Sequence, residues 1–459
     1  MKEPSHVDHL RDEPIPRLLW RLSLPATVGM LVMASYNIVD TIFVGHFVGV
    51  GAIAGLAIAF PLQMLLMGLC QSIGVGGGVM VSLEIGKGRR TEAERYLGNV
   101  FFLTMLSSLV FTLAVSLWVD PILRAFGATP TTLGYAHEYV EVMVWGYLPF
   151  CGSVALNNLV RAEGNARLAM GTMLISAGLN ILLDPLFIWW LDGGVAGAAW
   201  ATVLANWASF LWLLFYFLSR RSFVRLHWKS IVPRREPIAR ITVLGASVFA
   251  RNAASSIMTI LINHMIHNYG TDLHLAIYGI YYRLVMFLFM PLFGLVQGLQ
   301  PILGYHEGAG NPCKSREAIR LSTVIATCIA AGAFLVLWVF PAQLILVFST
   351  SPELVSEGTP VLRIASLGIP VVGYHVVGVT MFQAMGHAWP AFILSMSRQV
   401  FFFIPLVLIL PPMIGLWGVW AAFPLSDGLS FLITLALTEP QKRKIRQQCE
   451  ALDLAARTM

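Results

Sequence analysis

The chain reads as a succession of long apolar runs separated by short polar ones. The runs lie at roughly 22–46, 52–83, 97–119, 135–158, 168–191, 194–218, 240–268, 273–304, 319–341, 359–382, 389–411 and 416–437. Each is too long and too apolar for a strand. Each reaches the ~20 residues that a helix needs to cross the hydrocarbon of a bilayer. The breaks between them carry turn chemistry: Gly86-Lys87-Gly88, Ala128-Thr129-Pro130, Asp192-Gly193-Gly194, Gly308-Ala309-Gly310-Asn311-Pro312 and Pro411-Pro412. The pattern predicts an all-α integral membrane protein with about twelve transmembrane helices.

Composition narrows the class. Of 459 residues, 57% are apolar and only 12% are charged, where a soluble protein carries ~25% charged residues. That deficit excludes a disordered chain, a nucleic-acid-binding module and an ordinary cytosolic enzyme, and it leaves no room for a large soluble domain. The five cysteines, Cys70, Cys151, Cys313, Cys328 and Cys449, show no spacing of a disulfide framework, a zinc site or a redox pair, and read as packing residues. The N-terminal tail is polar and no cleavage site follows the first apolar run, which therefore reads as a retained span and not a signal peptide.

The net charge of +6 matters less than where the basic residues fall. They sit in the N-terminal tail (Lys2, Arg11, Arg17, Arg21) and in alternate loops. These are the second-to-third (Lys87, Arg89, Arg90, Arg95), the fourth-to-fifth (Arg161, Arg167), the sixth-to-seventh (Arg220 to Arg240) and the eighth-to-ninth (Lys314, Arg316, Arg320). The C-terminal tail continues the series with Lys442, Arg443, Lys444, Arg446 and Arg457, whereas the opposite loops hold a single basic residue, Arg124. An even number of spans with this asymmetry places both termini in the cytoplasm of a multi-pass protein of the cell (inner) membrane.

The two halves resemble each other. Ser82-Leu83-Glu84-Ile85-Gly86-Lys87-Gly88 matches Gly304-Tyr305-His306-Glu307-Gly308-Ala309-Gly310, Arg161-Ala162-Glu163-Gly164-Asn165 matches Gln383-Ala384-Met385-Gly386-His387, and Pro185 matches Pro405, at an offset of roughly 220–222. Each half holds an even number of spans, so both enter from the same side: a parallel repeat of two six-helix lobes. The expected organisation is a cytoplasmic tail (1–21), an N-lobe (22–218), a basic linker (219–239), a C-lobe (240–437) and a second cytoplasmic tail (438–459). Two such bundles suit transport by alternating access.

An ionisable side chain at mid-bilayer costs at least ~2.5–3.5 kcal/mol, so it marks a functional position. The first half has two such acids, Asp40 and Asp184. Asn180 and Asp184 share a helix face at i,i+4, and Met33, Tyr36, Asn37 and Asp40 form a similar stripe on the first span. Ala198, Thr202 and Asn206 form a similar stripe on the sixth span. Carried across the repeat, Asp40, Asn180, Asp184 and Thr202 meet Ile262, Val400, Ile404 and Phe423. The polarity therefore belongs to the first half and not to the fold. Two carboxylates in a low-dielectric site cannot both stay ionised cheaply, so they take up a proton, or share a Na+ ion with Asn180 and Thr202 completing the shell. Sequence leaves H+ and Na+ equally open. Pro25, inside the first span, removes a backbone hydrogen bond and permits a kink. Met33, Tyr36, Asn37, Asn157, Met173 and Asn206 are candidate lining of a substrate cavity.

These residues resemble the multidrug and toxic compound extrusion (MATE) transporters, more closely their prokaryotic DNA-damage-inducible-F-like branch. The match runs over nearly the whole chain and rests on Pro25, on Asn37-Ile38-Val39-Asp40-Thr41-Ile42-Phe43-Val44-Gly45, on Asn180, Asp184-Pro185 and Thr202, and on Arg161-Ala162-Glu163-Gly164-Asn165. The resemblance implies a secondary efflux transporter, not an enzyme, that exchanges H+ or Na+ for organic, often cationic, amphipathic compounds. It implies a cation site at Asp40, Asn180, Asp184 and Thr202 and a hinge at Pro25. It implies no cofactor beyond the coupling ion, and as partners only drug-like substrates and membrane lipid, with no nucleic acid and the chain a monomer. Two rivals share parts of the pattern: a flippase of lipid-linked precursors, to which Arg251, Arg283 and Arg398 would contribute, and an intramembrane prenyltransferase, which needs more carboxylates than this chain offers.

Overall fold

A computed structural model describes the backbone of residues 6–47, 50–130, 132–191, 193–219 and 221–458, and the side chains of these except residues 36–54, 57 and 456–458. The described residues form helices and no strands. Ten helices are long and apolar enough to cross a membrane, and two bent pairs supply two more spans, twelve among the described residues. The pairs are Asp272–Leu288 with Met290–Gly308, bent by 41°, and Pro352–Ser366 with Ile369–Ala384, bent by 43°. Pro291 and Pro370, at the second positions of the later helices, have no N–H to give the preceding turn, which explains the breaks that hydropathy alone does not show.

In chain order the helices are α1 (His6–Asp12), α2 (Ile15–Phe47), α3 (Val50–Gly86), α4 (Arg90–Leu117), α5 (Val119–Ala125), α6 (Leu133–Ala162), α7 (Ala166–Pro185) and α8 (Gly194–Leu218). After the linker come α9 (Arg235–Tyr269), α10 (Asp272–Leu288), α11 (Met290–Gly308), α12 (Pro312–Val339), α13 (Pro341–Leu346), α14 (Pro352–Ser366), α15 (Ile369–Ala384), α16 (Ala388–Met396), α17 (Ile404–Ile414) and α18 (Leu416–Thr458). The repeat is visible in these bounds. α4 and α12 begin at Arg90 and Pro312 and end at Leu117 and Val339, 222 residues apart at both ends. α3 spans Val50–Gly86, and the α10–α11 pair spans Asp272–Gly308, at the same offset. The turns between spans repeat too: Gly88 and Gly310, and Gly164 and Gly386, all take the left-handed backbone conformation that favours glycine. This register pairs Asn180, Asp184 and Thr202 with Phe402, Leu406 and Pro424, one or two residues from the sequence pairing and equally apolar.

The chain divides into two compact units: 1–12 with 28–249, and 13–27 with 250–459. The division runs inside α2 and α9, so the first turns of each helix belong to the other unit's bundle. In the first unit α9 approaches α3 so closely that a Cβ on Gly76 would collide with the Ile241 carbonyl oxygen. In the second, Gly298 of α11 lies just as close against Ser23 of α2.

The first unit's core is α3, α6 and α8, through Leu62, Leu66, Tyr139, Met143, Tyr147, Val195, Ala198 and Val203. Alanines and Gly146, which sits against Val203, let these helices approach, the way spans associate where lipid supplies no hydrophobic drive. Cys70 of α3 and Cys151 of α6 meet as a disulfide with Cα atoms 5.1 Å apart, and Cys313 with Cys449 at 4.9 Å. Both pairings correct the reading of scattered packing residues. The partners are 81 and 136 residues apart, and only helix packing brings them together. Large apolar side chains face outward, Trp145, Trp189, Trp190 and Phe215 among them, at exposures that a soluble protein would not carry.

The linker is folded and not extended. Its backbone is held by Asn99, whose Oδ1 accepts from Arg234 N (2.8 Å), and Gly98 leaves room for the Ser230 carbonyl. The C-terminal tail is the continuation of α18 to Thr458.

Candidate functional site

α7 starts from Asn165, whose side chain accepts the Leu168 N–H at 3.2 Å, and its regular turns end at Pro185. The proline ring cannot donate, and the backbone widens into one π-helical turn, Leu186–Trp190. Asp184 is thus held on the last regular turn before an irregular one. Asn180, one turn earlier, is the hub. Its Nδ2 donates to Asp184 Oδ1 at 3.3 Å and to Thr202 Oγ1 of α8 at 3.2 Å. Asp184 has no exposed surface and Asn180 has 1%. The Oδ1 of Asn180 is buried with no hydrogen-bond partner among the described residues. The amide nitrogen of Asn180 therefore gathers a carboxylate and a hydroxyl within the span, two hard oxygens suited to a proton or a small monovalent cation.

A second polar layer braces the same helices. Asn157 Nδ2 of α6 donates to the Ala169 carbonyl (2.9 Å) and to Thr172 Oγ1 (2.7 Å), while Ser209 of α8 donates to the Thr172 carbonyl (3.1 Å). The amide of Asn157 is thereby committed to joining α6 to α7. Asn206 is buried on α8. Met173 of α7 packs on Gly29 of α2, where a Cβ would stand 2.6 Å from its sulfur, and Met33 is half-buried on α2. Pro25 lies within the continuous α2, two residues before that helix passes from the second unit to the first. The side chains of Asp40, Tyr36 and Asn37 lie outside the described residues.

The equivalent region of the second unit is aromatic. Phe423 packs edge-on to Tyr281 (5.4 Å between centroids) and against Phe403 (4.8 Å). The polar cluster of the first unit has no copy there.

Sequence reasoning missed one built site. Glu163, just past α6, is 1% exposed. Its Oε1 accepts from Ser222 Oγ (2.6 Å) and Val224 N (2.8 Å), and its Oε2 from Tyr216 OH (2.9 Å). These contacts tie the start of the linker to the loop after α6. Burial pushes the carboxyl up to about 7, although its hydrogen bonds pull the other way. An acid inside the small-residue motif Arg161-Ala162-Glu163-Gly164-Asn165 was the available signal.

Two repeated helical bundles with a polar cluster sunk in one of them define a membrane transporter rather than an enzyme. The chain belongs to the MatE family, whose model matches twice, over residues 25–186 and 248–409. The two matches are 223 residues apart and reproduce the repeat. Among its relatives, the multidrug export protein MepA of Staphylococcus aureus (strain MSSA476) is 25% identical over 429 residues, covering 94% of each chain. MepA of Staphylococcus haemolyticus (strain JCSC1435) is 26% identical, covering 92% of this chain and 93% of its own. A solved structure of the MATE multidrug transporter DinF-BH, in complex with the dye rhodamine 6G, is 40% identical, with a TM-score of 0.87 over 93% of this chain and 96% of that one. An outward-facing MATE transporter of the MOP superfamily has the same fold, with a TM-score of 0.90 at 24% identity over 97% of this chain and all of that one.

Proposed function

We propose that this chain is a cation-coupled antiporter that expels amphipathic, often cationic organic compounds by alternating access, with H+ or Na+ returning through the first unit. The observation that carries the reading is the hydrogen-bonded Asn180–Asp184–Thr202 cluster inside the spans, present in one copy of the repeat and replaced by apolar residues in the other. Asp40 joins Asp184 in this reading, and Pro25 lets α2 bend as the ion exchanges. The protein works as a monomer in the cell (inner) membrane with both termini in the cytoplasm.

The mechanism needs differential affinity. A cation that bound inward-open and outward-open states equally would shift nothing; one that binds the outward-open state ~100-fold tighter shifts the balance by ~2.7 kcal/mol. Asp184 supplies the charge that attracts the ion. Asn180 holds that carboxylate and the Thr202 hydroxyl on one amide, so a change at any one is felt by the other two. Substrate then binds to a cavity lined in part by Met33, Met173 and Asn206.

Rhodamine 6G transport by purified protein in liposomes tests this. Under an imposed pH or Na+ gradient the dye moves against its concentration gradient, and dissipating the coupling gradient stops it. Dye movement indifferent to both gradients would remove the proposal.

A further inference from the structure

The other charged groups sunk in the spans gather in the second unit. A π-helical turn, Ser397–Phe403, between α16 and α17 presents Arg398, whose Nε lies 2.6 Å from Oδ1 of Asp427 on α18. The Asp427 side chain is 3% exposed and that of Arg398 32%. Gly368, at the break between α14 and α15, makes the room: a Cβ there would stand 2.7 Å from Asp427 Oδ2. The next residue, Gln399, donates through Nε2 to Ser255 Oγ of α9 at 2.6 Å. Arg251 stands one turn before Ser255 on the same face of α9, near the middle of that 35-residue helix. His375 of α15 is hydrogen-bonded through Nδ1 to Thr434 (2.7 Å).

Counting charges gives an excess. Asp427 offsets Arg398, and Arg251 has no carboxylate within ion-pair distance among the described residues. The fold does not require these charges. At the 222-residue register the first unit has Gly29, Ser176 and Ala205 where the second has Arg251, Arg398 and Asp427. An uncompensated guanidinium at this depth is costly and is kept where something anionic arrives to meet it. The planar fork of arginine matches carboxylate and phosphate, and the Arg398 side chain keeps about a third of its surface exposed, 32%.

We propose that Arg251 and Arg398, with Ser255, form an oxyanion-binding site in the second unit, which takes the carboxylate or phosphate of an amphiphilic compound. Binding at this site stands by itself; its consequence, that exported compounds include anionic and zwitterionic amphiphiles, rests on the efflux reading. Asp427 holds Arg398 in place and keeps the site from carrying two uncompensated cations.

Equilibrium binding to the purified full-length protein, with no ion gradient, separates this proposal from the transport reading. The probes are rhodamine B, which carries a free carboxylate, and its ethyl ester, which does not. Wild type prefers the acid by about tenfold, the worth of a charge-assisted hydrogen bond, and Arg251→Gln abolishes the preference, read as the ratio of the two affinities. Should Arg251→Gln lose ester binding too, Arg251→Lys decides, because it keeps the charge without the fork and lowers the acid preference in a protein that still binds the ester. Competition by phosphatidylglycerol, but not phosphatidylcholine, assigns the natural occupant to a lipid headgroup. Indifference to both lipids assigns it to a soluble compound, and either result supports the site. Equal affinity of wild type for acid and ester, or an acid preference that survives in Arg251→Gln or stays undiminished in Arg251→Lys, would overturn it.

Discussion

Glu163 gives the most quantitative prediction. It is fully enclosed, accepts from Ser222, Val224 and Tyr216, and titrates near 7 against an ordinary 4.5. In the unfolded chain the carboxyl loses its proton above 4.5, while in the folded chain it keeps it until about 7. The folded state therefore binds more protons in that window, and stability falls as pH rises through it. The difference corresponds to ~3 kcal/mol, fully present below 4.5, lost progressively to pH 7 and constant above. Glu163→Gln keeps an acceptor for Ser222 and Val224 and offers Tyr216 a donor, so it folds and its stability loses this slope. Glu163→Ala leaves the Val224 N–H and the Tyr216 hydroxyl buried without their acceptor, at ~1–3 kcal/mol each, while Ser222 keeps the Val224 carbonyl. Unfolding in detergent micelles across this pH range, followed by circular dichroism, measures all three proteins. A Gln variant with the wild-type slope would refute the reasoning.

Other consequences follow from particular contacts. Gly76→Ala drives a methyl into the Ile241 carbonyl and lowers stability by ~1–3 kcal/mol, read as a drop in melting temperature. Asn157→Leu strips Thr172 and the Ala169 carbonyl of their shared donor; it destabilises by ~1–3 kcal/mol without changing the ion dependence of transport. Removing Arg398 alone, as Arg398→Leu, strands a buried Asp427 and costs ~3 kcal/mol, whereas Arg398→Leu with Asp427→Leu recovers most of it, which a double-mutant cycle on unfolding free energies detects. Thr202→Val removes the hydroxyl from Asn180 and weakens ion-driven transport, while Thr202→Ser preserves it.

The spans were legible because each is a long apolar run, and the repeat because its turns reuse glycines: Gly88 with Gly310, Gly164 with Gly386. Asn180 and Asp184 could be paired from their i,i+4 spacing. Thr202 could be grouped with them because it too is polar where the repeat is apolar, but the contact itself needed the packing of α7 on α8, which no spacing encodes. The cysteine pairs, the Arg398–Asp427 contact and the Glu163 pocket stayed hidden for the same reason, since each joins helices far apart in the chain. The bends before α11 and α15 were hidden because an apolar run stays apolar through a proline.

The central claim is that Asp184 couples ion movement to dye movement. Two assays on Asp184→Asn in liposomes measure it most directly: rhodamine 6G accumulation under an imposed pH or Na+ gradient, and exchange of the same dye without any gradient. The account predicts that the variant still exchanges dye but no longer accumulates it. Gradient-driven accumulation at the wild-type rate would contradict it.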